Sequence, residues 1–502
     1  MSASILKKSF LIILFCLGII HWLMFFYLAY PPGGDRDFLA LQQPPARWFE
    51  NRVFNAHDWY KEVQYLKVTK DALVSGTIPF HVPDLGRVFT IKNRFLGAVM
   101  WTMSPQIILL YLLDPFTFAV INLLIMYSVG FYGCMLIRKH YQLGLIPFAF
   151  IFILFNFNGH FVEKVTAYGP GQMGYFLLPF FILLIMRAAQ PKLLDKRQQV
   201  RIGLLLGLVV SGIYYQGSMH FFIDSITFLF IWGIVNYKFW RLTASTFAAA
   251  FSTAAVRLLP TAVTFGAAAN RHDWPGYTPT MLFRAVLLTN TQLSPPHFAW
   301  WEYSLYIGWV GVFALLFFGL WGSFRKYEWV KFKGWQSLAL PCFIMFFLSL
   351  LRFKNLLIPR FISLLNGESK PSLYMIFPLL FLVVIAAVNM EEYLNIYRKS
   401  IFIKSGLTAL LVAMALSIFN HSRIWRLHRV QSEFDWVTAN RIWGELPSPN
   451  IVLSIKNNMA DTLYVYSFWV GLFISVAAFI LVIWWLIKII KNKEENNAIW
   501  IK

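Results

Sequence analysis

The chain has 502 residues, of which 58% are hydrophobic and 13% charged, and its mean hydropathy is +0.58. That is too little charge to cover a water-soluble domain of this length, so the soluble classes are excluded. The net charge of +21 would suggest nucleic acid in a soluble protein. Here much of the Lys and Arg falls in short loops between apolar runs, as the positive-inside rule requires, and no nucleic-acid partner is expected. Apolar runs of about 20 residues recur along the whole length, each long enough to cross a bilayer as a helix. They are continuous rather than alternating, which excludes a β-barrel. The expected fold is all-α: a polytopic membrane protein of about twelve transmembrane helices, one membrane domain over residues 1–502.

The first apolar run, 10–30, follows Lys7-Lys8 and ends in no small-x-small site. It is expected to be an uncleaved anchor with a cytoplasmic N-terminus. Residues 31–114 then form a long first extracytoplasmic loop with Pro31-Pro32-Gly33-Gly34, Pro44-Pro45 and two interfacial helices, 58–76 and 95–113. The second is near span length. It is placed in the interface because the next span, 115–137, ends at Arg138-Lys139, and an extra crossing would turn that basic end outward. Spans at 143–157 and 173–187 flank a short outer loop, 158–171, and lead to a basic inner loop with Arg187, Lys192, Lys196, Arg197 and Arg201. A hairpin over 201–237 turns near Tyr214-Tyr215-Gln216-Gly217, and a span at 242–262 follows. The second outer loop, 265–303, carries Arg271, His272, Asp273, Arg284 and Glu302. Spans at 304–322 and 335–351 precede a third, with Arg352, Lys354, Arg360, Glu368 and Lys370. Spans at 372–390 and 401–419, a late extracytoplasmic loop at 420–465 and a last span at 466–490 complete the chain. An even number of spans puts both termini in the cytoplasm, in an inner (plasma) membrane. Cys16, Cys134 and Cys342 have no metal-binding spacing and are expected to be small core residues. The twenty Trp and fifty Phe are expected mostly as lipid-facing or interfacial anchors.

No GxxxxGK[ST], post-strand GxGxxG, HExxH or GxSxG pattern is present, so the energy for any synthesis must come from an already activated substrate. In a membrane that points to a lipid phosphate. Asp58 leads an amphipathic segment in which Tyr60, Val63, Leu66, Lys67 and Lys70 share a face that can lie on the bilayer. Asp58 is then either a helix cap or a general base held at the membrane surface. Asp35-Arg36-Asp37, a DxD just after the first span, is a rival acidic pair or turn chemistry alone. Glu163 and His160 share the second outer segment, as site residues or as a solvated group with Lys164. Arg257, near the outer end of a span, either grips a phosphate with its fork or snorkels to the interface. Arg360, Lys354 and Lys370 are weaker candidates for the same phosphate. Asp224 lies four residues after His220, as an internal polar pair. Arg423, Arg426 and Arg429 form a basic, headgroup-facing stretch.

Asp58, the helix after it and Ser75-Gly76-Thr77-Ile78-Pro79 resemble the first outer loop of the membrane-embedded C-type glycosyltransferases, closest to the YfhO-type and polyprenyl-phosphate-sugar-dependent bacterial members. The pattern continues in order over residues 10–390. Ser104-Pro105 precedes a span, and Asn158-Gly159-His160 ends one ahead of Leu178-Pro179. Arg257-Leu258-Leu259-Pro260, Tyr306-Ile307-Gly308 and Pro371-Ser372-Leu373-Tyr374 follow. Two departures stand out: Asp58 lies about 28 residues past the first span, and Leu373 occupies a place where YfhO-type relatives often carry Arg. The resemblance implies transfer of a sugar from a polyprenyl-phosphate donor to a glycan, lipid or protein acceptor at the extracytoplasmic face, with inversion. It implies Asp58 as base, Arg257 first among the phosphate ligands, and Glu163 with His160 orienting the acceptor or a divalent metal, Mg or Mn. It also makes the DxD a rival, since oligosaccharyl transferases carry a metal-linked acid there. Two other functions stay open. A flippase or transporter of lipid-linked glycan would show charges facing one another at the midplane and internal symmetry. An O-antigen-type polymerase or ligase would place its essential Arg and His in 420–465.

Overall fold

The computed structural model describes residues 3–27, 59–81, 94–96, 103–190, 194–265, 276–289, 300–321, 332–350, 370–425 and 461–491. Among these, every named element is helical. In chain order they are α1 (Ala3–Tyr27), α2 (Trp59–Ser75), a 3-10 turn (Pro105–Tyr111), α3 (Pro115–Tyr141), α4 (Leu145–Phe157) and α5 (Gly159–Tyr168). A second 3-10 stretch (Gly169–Leu177) leads into α6 (Leu178–Ala188), α7 (Lys196–Tyr215), α8 (Met219–Val235), α9 (Trp240–Thr253) and α10 (Ala255–Phe265). Then come α11 (Pro279–Leu287), α12 (Gly308–Ala314, continued as a π-helix to Trp321), α13 (Trp335–Ser349), α14 (Pro371–Ile396), α15 (Ile401–Ile424) and α16 (Thr462–Lys491).

Among the described residues, seven helical stretches are long and apolar enough to cross a membrane, or eight if α8 and the segment 237–253, bent by 115° at their junction, form one broken span. This is the architecture of a polytopic helical membrane protein. The other described helices miss that length or hydropathy for local reasons. α7 opens with Lys196, Arg197 and Arg201, under a capping box in which Asp195 accepts from the backbone N–H of Gln198. α9 and α10 are separated at Ala254, and α12 passes into a π-helix after seven residues.

Small residues let the backbones approach. A Cβ on Gly203 would lie 1.9 Å from Ser245 Oγ, and one on Gly207 would lie 2.4 Å from Ala249 Cβ, so α7 and α9 are in glycine-mediated contact. At the α9–α10 break, the backbone N–H of Val256 donates to Ser475 Oγ of α16 at 2.9 Å. A neighbouring helix thus supplies the partner that the interrupted ladder lacks. Many aromatics expected at the lipid surface are core instead: Phe148, Phe161, Phe181 and Phe228 are all fully buried, and Phe161 stacks on Tyr175 at 4.5 Å. Cys134 and Cys342 are buried as expected, whereas Cys16 is exposed.

Three loop expectations change. Residues 158–171 are not an open outer loop. They continue as α5 and the second 3-10 stretch, and their described side chains are buried. Of the second interfacial helix, 97–102 lie outside the described residues, and the described part holds only the seven-residue 3-10 turn Pro105–Tyr111. α2 is not laid on the bilayer by the expected face. Leu66 of that face is buried with Tyr65, Val68, Thr69 and Ala72, and Lys70 Nζ donates to the Leu113 carbonyl at 2.9 Å.

The bundle has two chemically distinct ends. At one, the ends of α4 and α13 meet the starts of α8, α12 and α14. At the other lie Arg138, Lys139, Arg187, Lys196, Lys238, Arg398 and Lys399, with Glu391 Oε2 accepting from the backbone N–H of Gly144 at 2.6 Å.

Candidate functional site

The polar end is built from helix termini. Asn158 caps α5, accepting from the Phe161 N–H at 3.1 Å, and the same side chain donates to the Leu154 carbonyl and the Tyr175 hydroxyl. The cap turns the chain so that His160, Glu163 and Lys164 enter the protein rather than water, each at most 1% exposed. Gly159 allows the close approach. Its N–H donates to the Tyr306 carbonyl at 2.8 Å, and a Cβ there would fall 2.4 Å from Tyr306 Cβ and 2.8 Å from His421 Nε2. Three short segments that follow one another as weak signals in the sequence, at 158–160, 306–308 and 371–374, therefore come together in the interior, the last through its neighbour Lys370.

Lys164 Nζ donates to Glu302 Oε2, and Lys370 Nζ lies 3.1 Å from Glu302 Oε1. One buried carboxylate thus bridges two ammonium groups from α5 and from the start of α14. Lys370 Nζ also lies 3.4 Å from His220 Nε2 at the start of α8, and Asp224 is buried one turn further on. Beside this triad, Glu163 Oε1 is 3.1 Å from His421 Nε2 of α15, an ion-pair distance without hydrogen-bond alignment. The His421 ring stacks on Tyr306 at 4.2 Å and 16°. Ser304 lies against both Glu163 and His160. Tyr277 donates its hydroxyl to the Tyr303 carbonyl, and burial, with Tyr303 and Glu163 nearby, pushes its phenol well above the usual tyrosine range. It stays a neutral donor. Buried ions of this kind persist only when paired, and the pairing spans segments as far apart as 164, 302 and 370.

Several expectations are corrected here. Glu163, His160 and Lys164 are not a solvated group, because Lys164 turns to Glu302 and Glu163 to His421. Lys370 joins the cluster. Arg257 does not snorkel. It is 1% exposed, its guanidinium lies 4.3 Å from the centre of the Tyr214 ring, and Nη1 donates to the Tyr214 carbonyl. Glu62 of α2, itself 2% exposed, is a charged neighbour of it. His220 also reaches Lys370, and Asp224 is buried one turn further along the same helix. Asp58, Asp35, Asp37, Lys354, Arg360, Arg426 and Arg429 lie outside the described residues. Glu302, His421 and Glu62 were not singled out from sequence. Glu302 could have been marked by its place just before the apolar run that opens at 304 in a chain poor in acids.

Among the described residues, no group of three or more His, Cys, Asp or Glu side chains is placed to share a metal ion. Comparison with family models, with curated proteins and with solved structures returned no match.

Proposed function

We propose that the protein is an integral-membrane glycosyltransferase with twelve membrane passes and cytoplasmic termini. It moves a sugar from a polyprenyl-phosphate donor to an acceptor hydroxyl on the extracytoplasmic side. One observation carries this: the buried assembly of Lys164, Lys370, Glu302, Glu163, His160 and His421 at the end of the bundle opposite its basic rim. Two ammonium groups balanced on one carboxylate can turn toward a phosphate as its charge grows on leaving. Glu163 and His160 offer acceptors and donors suited to sugar hydroxyls. In the transfer, Asp58, adjacent to the first residue of α2, takes the proton of the acceptor hydroxyl. The freed oxygen bonds to the anomeric carbon while the bond from that carbon to the phosphate oxygen breaks. The phosphate leaves with the electron pair, and the configuration inverts.

A lipid-linked glycan flippase is the second reading: the buried bridge of Lys164, Glu302 and Lys370 joins separate segments, although it sits at the polar end rather than at the midplane where that reading expects its charges. The test is a reconstituted assay with polyprenyl-phosphate mannose, glucose and N-acetylglucosamine offered in turn with cell-envelope acceptors, following release of polyprenyl phosphate. Asp58→Asn should lower turnover by about 10²–10⁴-fold, and Lys370→Met should weaken donor use. Translocation of the lipid without release of polyprenyl phosphate would replace the transferase with the flippase.

A further inference from the structure

A groove of about 290 Å³ opens on the flank of the bundle between α4, α12, α14 and α15. Its walls are apolar and include Phe150, Phe313, Phe317, Tyr393, Gly406 and Leu410. It runs toward the basic end. Ile146 at the start of α4, Met390 and Tyr393 near the end of α14, and Phe402 and Ile403 in the first turn of α15 all line it. Gly406 widens it, since no atom lies within 4 Å of where its Cβ would be. Beside it, α15 exposes Phe402 and Leu416, at 87% and 64%, so this flank belongs to the lipid-facing surface.

Between the lining residues Tyr393 and Phe402 the chain turns and is basic. The turn joining α14 to α15 carries Arg398 and Lys399, both exposed, and Lys404 is exposed one turn later. Two acids share this end: Glu391, which accepts from the Gly144 N–H at 2.6 Å, and half-buried Glu392. An apolar slot leading to three exposed cations matches a hydrocarbon chain ending in an anion. A folded protein partner would need a broad surface rather than a slot. A neutral lipid would draw nothing from the cations, whereas a leaflet rich in anionic lipid would.

We infer that this groove seats one acyl chain of an anionic membrane phospholipid, with its headgroup phosphate against Arg398, Lys399 and Lys404. The site is separate from the buried assembly and does not depend on a transferase activity. Its occupant would brace α15, the helix that carries His421 at its other end.

The test uses the full chain in nanodiscs containing phosphatidylglycerol or phosphatidylcholine with a diazirine on the acyl chain. Photolabelled peptides are mapped by mass spectrometry. Labelling within residues 390–414 should favour phosphatidylglycerol by about tenfold. Gly406→Trp, which fills the slot, should remove that labelling and leave labelling of α16 unchanged. The triple variant Arg398→Gln, Lys399→Gln, Lys404→Gln should bring the two lipids to equal labelling, and monodisperse elution should verify that each variant folds. The inference is overturned if the wild-type protein labels equally with both lipids. It is also overturned if Gly406→Trp leaves the labelling intact, or if free polyprenyl phosphate displaces the label at lower concentration than phosphatidylglycerol.

Discussion

Asp461 shows how a single carboxylate can fix a long helix. It stands just before α16 and accepts from Arg94 twice, Nε to Oδ2 and Nη2 to Oδ1, each at 2.6 Å, while His81 Nε2 lies 3.2 Å from Oδ2. Arg94 also donates to the Val263 carbonyl at 2.8 Å, so one guanidinium gathers the start of α16, the end of α10 and the segment after α2. The Arg94 bond holds the Asp461 carboxyl below the usual range, with His81 adding to the effect. A carboxyl whose folded pKa is depressed contributes stability above its unfolded pKa of about 3.9 and loses it as pH falls through the folded value. Thermal unfolding in detergent should therefore lose this contribution between about pH 4 and the lower folded pKa. Asp461→Asn should be less stable at pH 7 and should flatten that segment of the profile. An unchanged profile in the variant would remove Asp461 from the account. None of this was legible in sequence, because Arg94 and Asp461 are separated by 367 positions and neither sits in a motif. Glu302 was hidden for the same reason: sequence names residue types, whereas the partner that lets a charge be buried comes from a distant segment.

At the scale of elements, the apolar runs were readable because a helix in lipid needs only length and hydropathy. α1, α3, α14, α15 and α16 fall where the runs lie. The stretch after α4 was misjudged because Asn158, Gly159, His160, Glu163 and Lys164 look like a wet loop. Their polarity is instead answered inside the protein, so the chain continues as helix. α2 was recognised as amphipathic, yet periodicity cannot tell a bilayer from a protein surface as the thing its apolar face meets. The packing of α7 on α9 depends on two glycines one turn apart. Gly207→Leu would drive a side chain into Ala249 Cβ and the Thr246 carbonyl, at 2.4 and 2.9 Å from the site of its Cβ. The variant should lose about 1–3 kcal/mol or more, as overpacking does, and show a lower unfolding temperature and aggregated elution. Gly406→Ala is the control: open space surrounds that position, so the variant should match or slightly exceed the parent. A Gly207→Leu protein as stable as Gly406→Ala would show that the α7–α9 contact is looser than described.

The whole molecule is polarised. Among the described residues, Arg138, Lys139, Arg187, Lys196, Arg398 and Lys399 lie where α3 and α6 end and where α7 and α15 begin, and the buried acid–base assembly lies at the opposite end. Charge asymmetry between loops orients a membrane protein through the Lys and Arg retained on the cytoplasmic side. The proposed function needs the assembly on the extracytoplasmic side, where a polyprenyl-phosphate sugar would present its head, and this rule supports that orientation. This asymmetry was visible in the sequence, whereas the convergence of 158–164, 302–306, 370 and 421 was not, since it follows from how the passes pack rather than from their order. Orientation can be read directly. Ser75, exposed at the end of α2, and Lys399, exposed between α14 and α15, mark the two ends. In a Cys16→Ser background, with Cys134 and Cys342 buried, a membrane-impermeant maleimide applied to intact cells should label Ser75→Cys and spare Lys399→Cys until the membrane is opened. Labelling of Lys399→Cys alone would turn the molecule over. The two lysines and Glu302 would then face the cytoplasm, and a donor presented in the outer leaflet could not reach them.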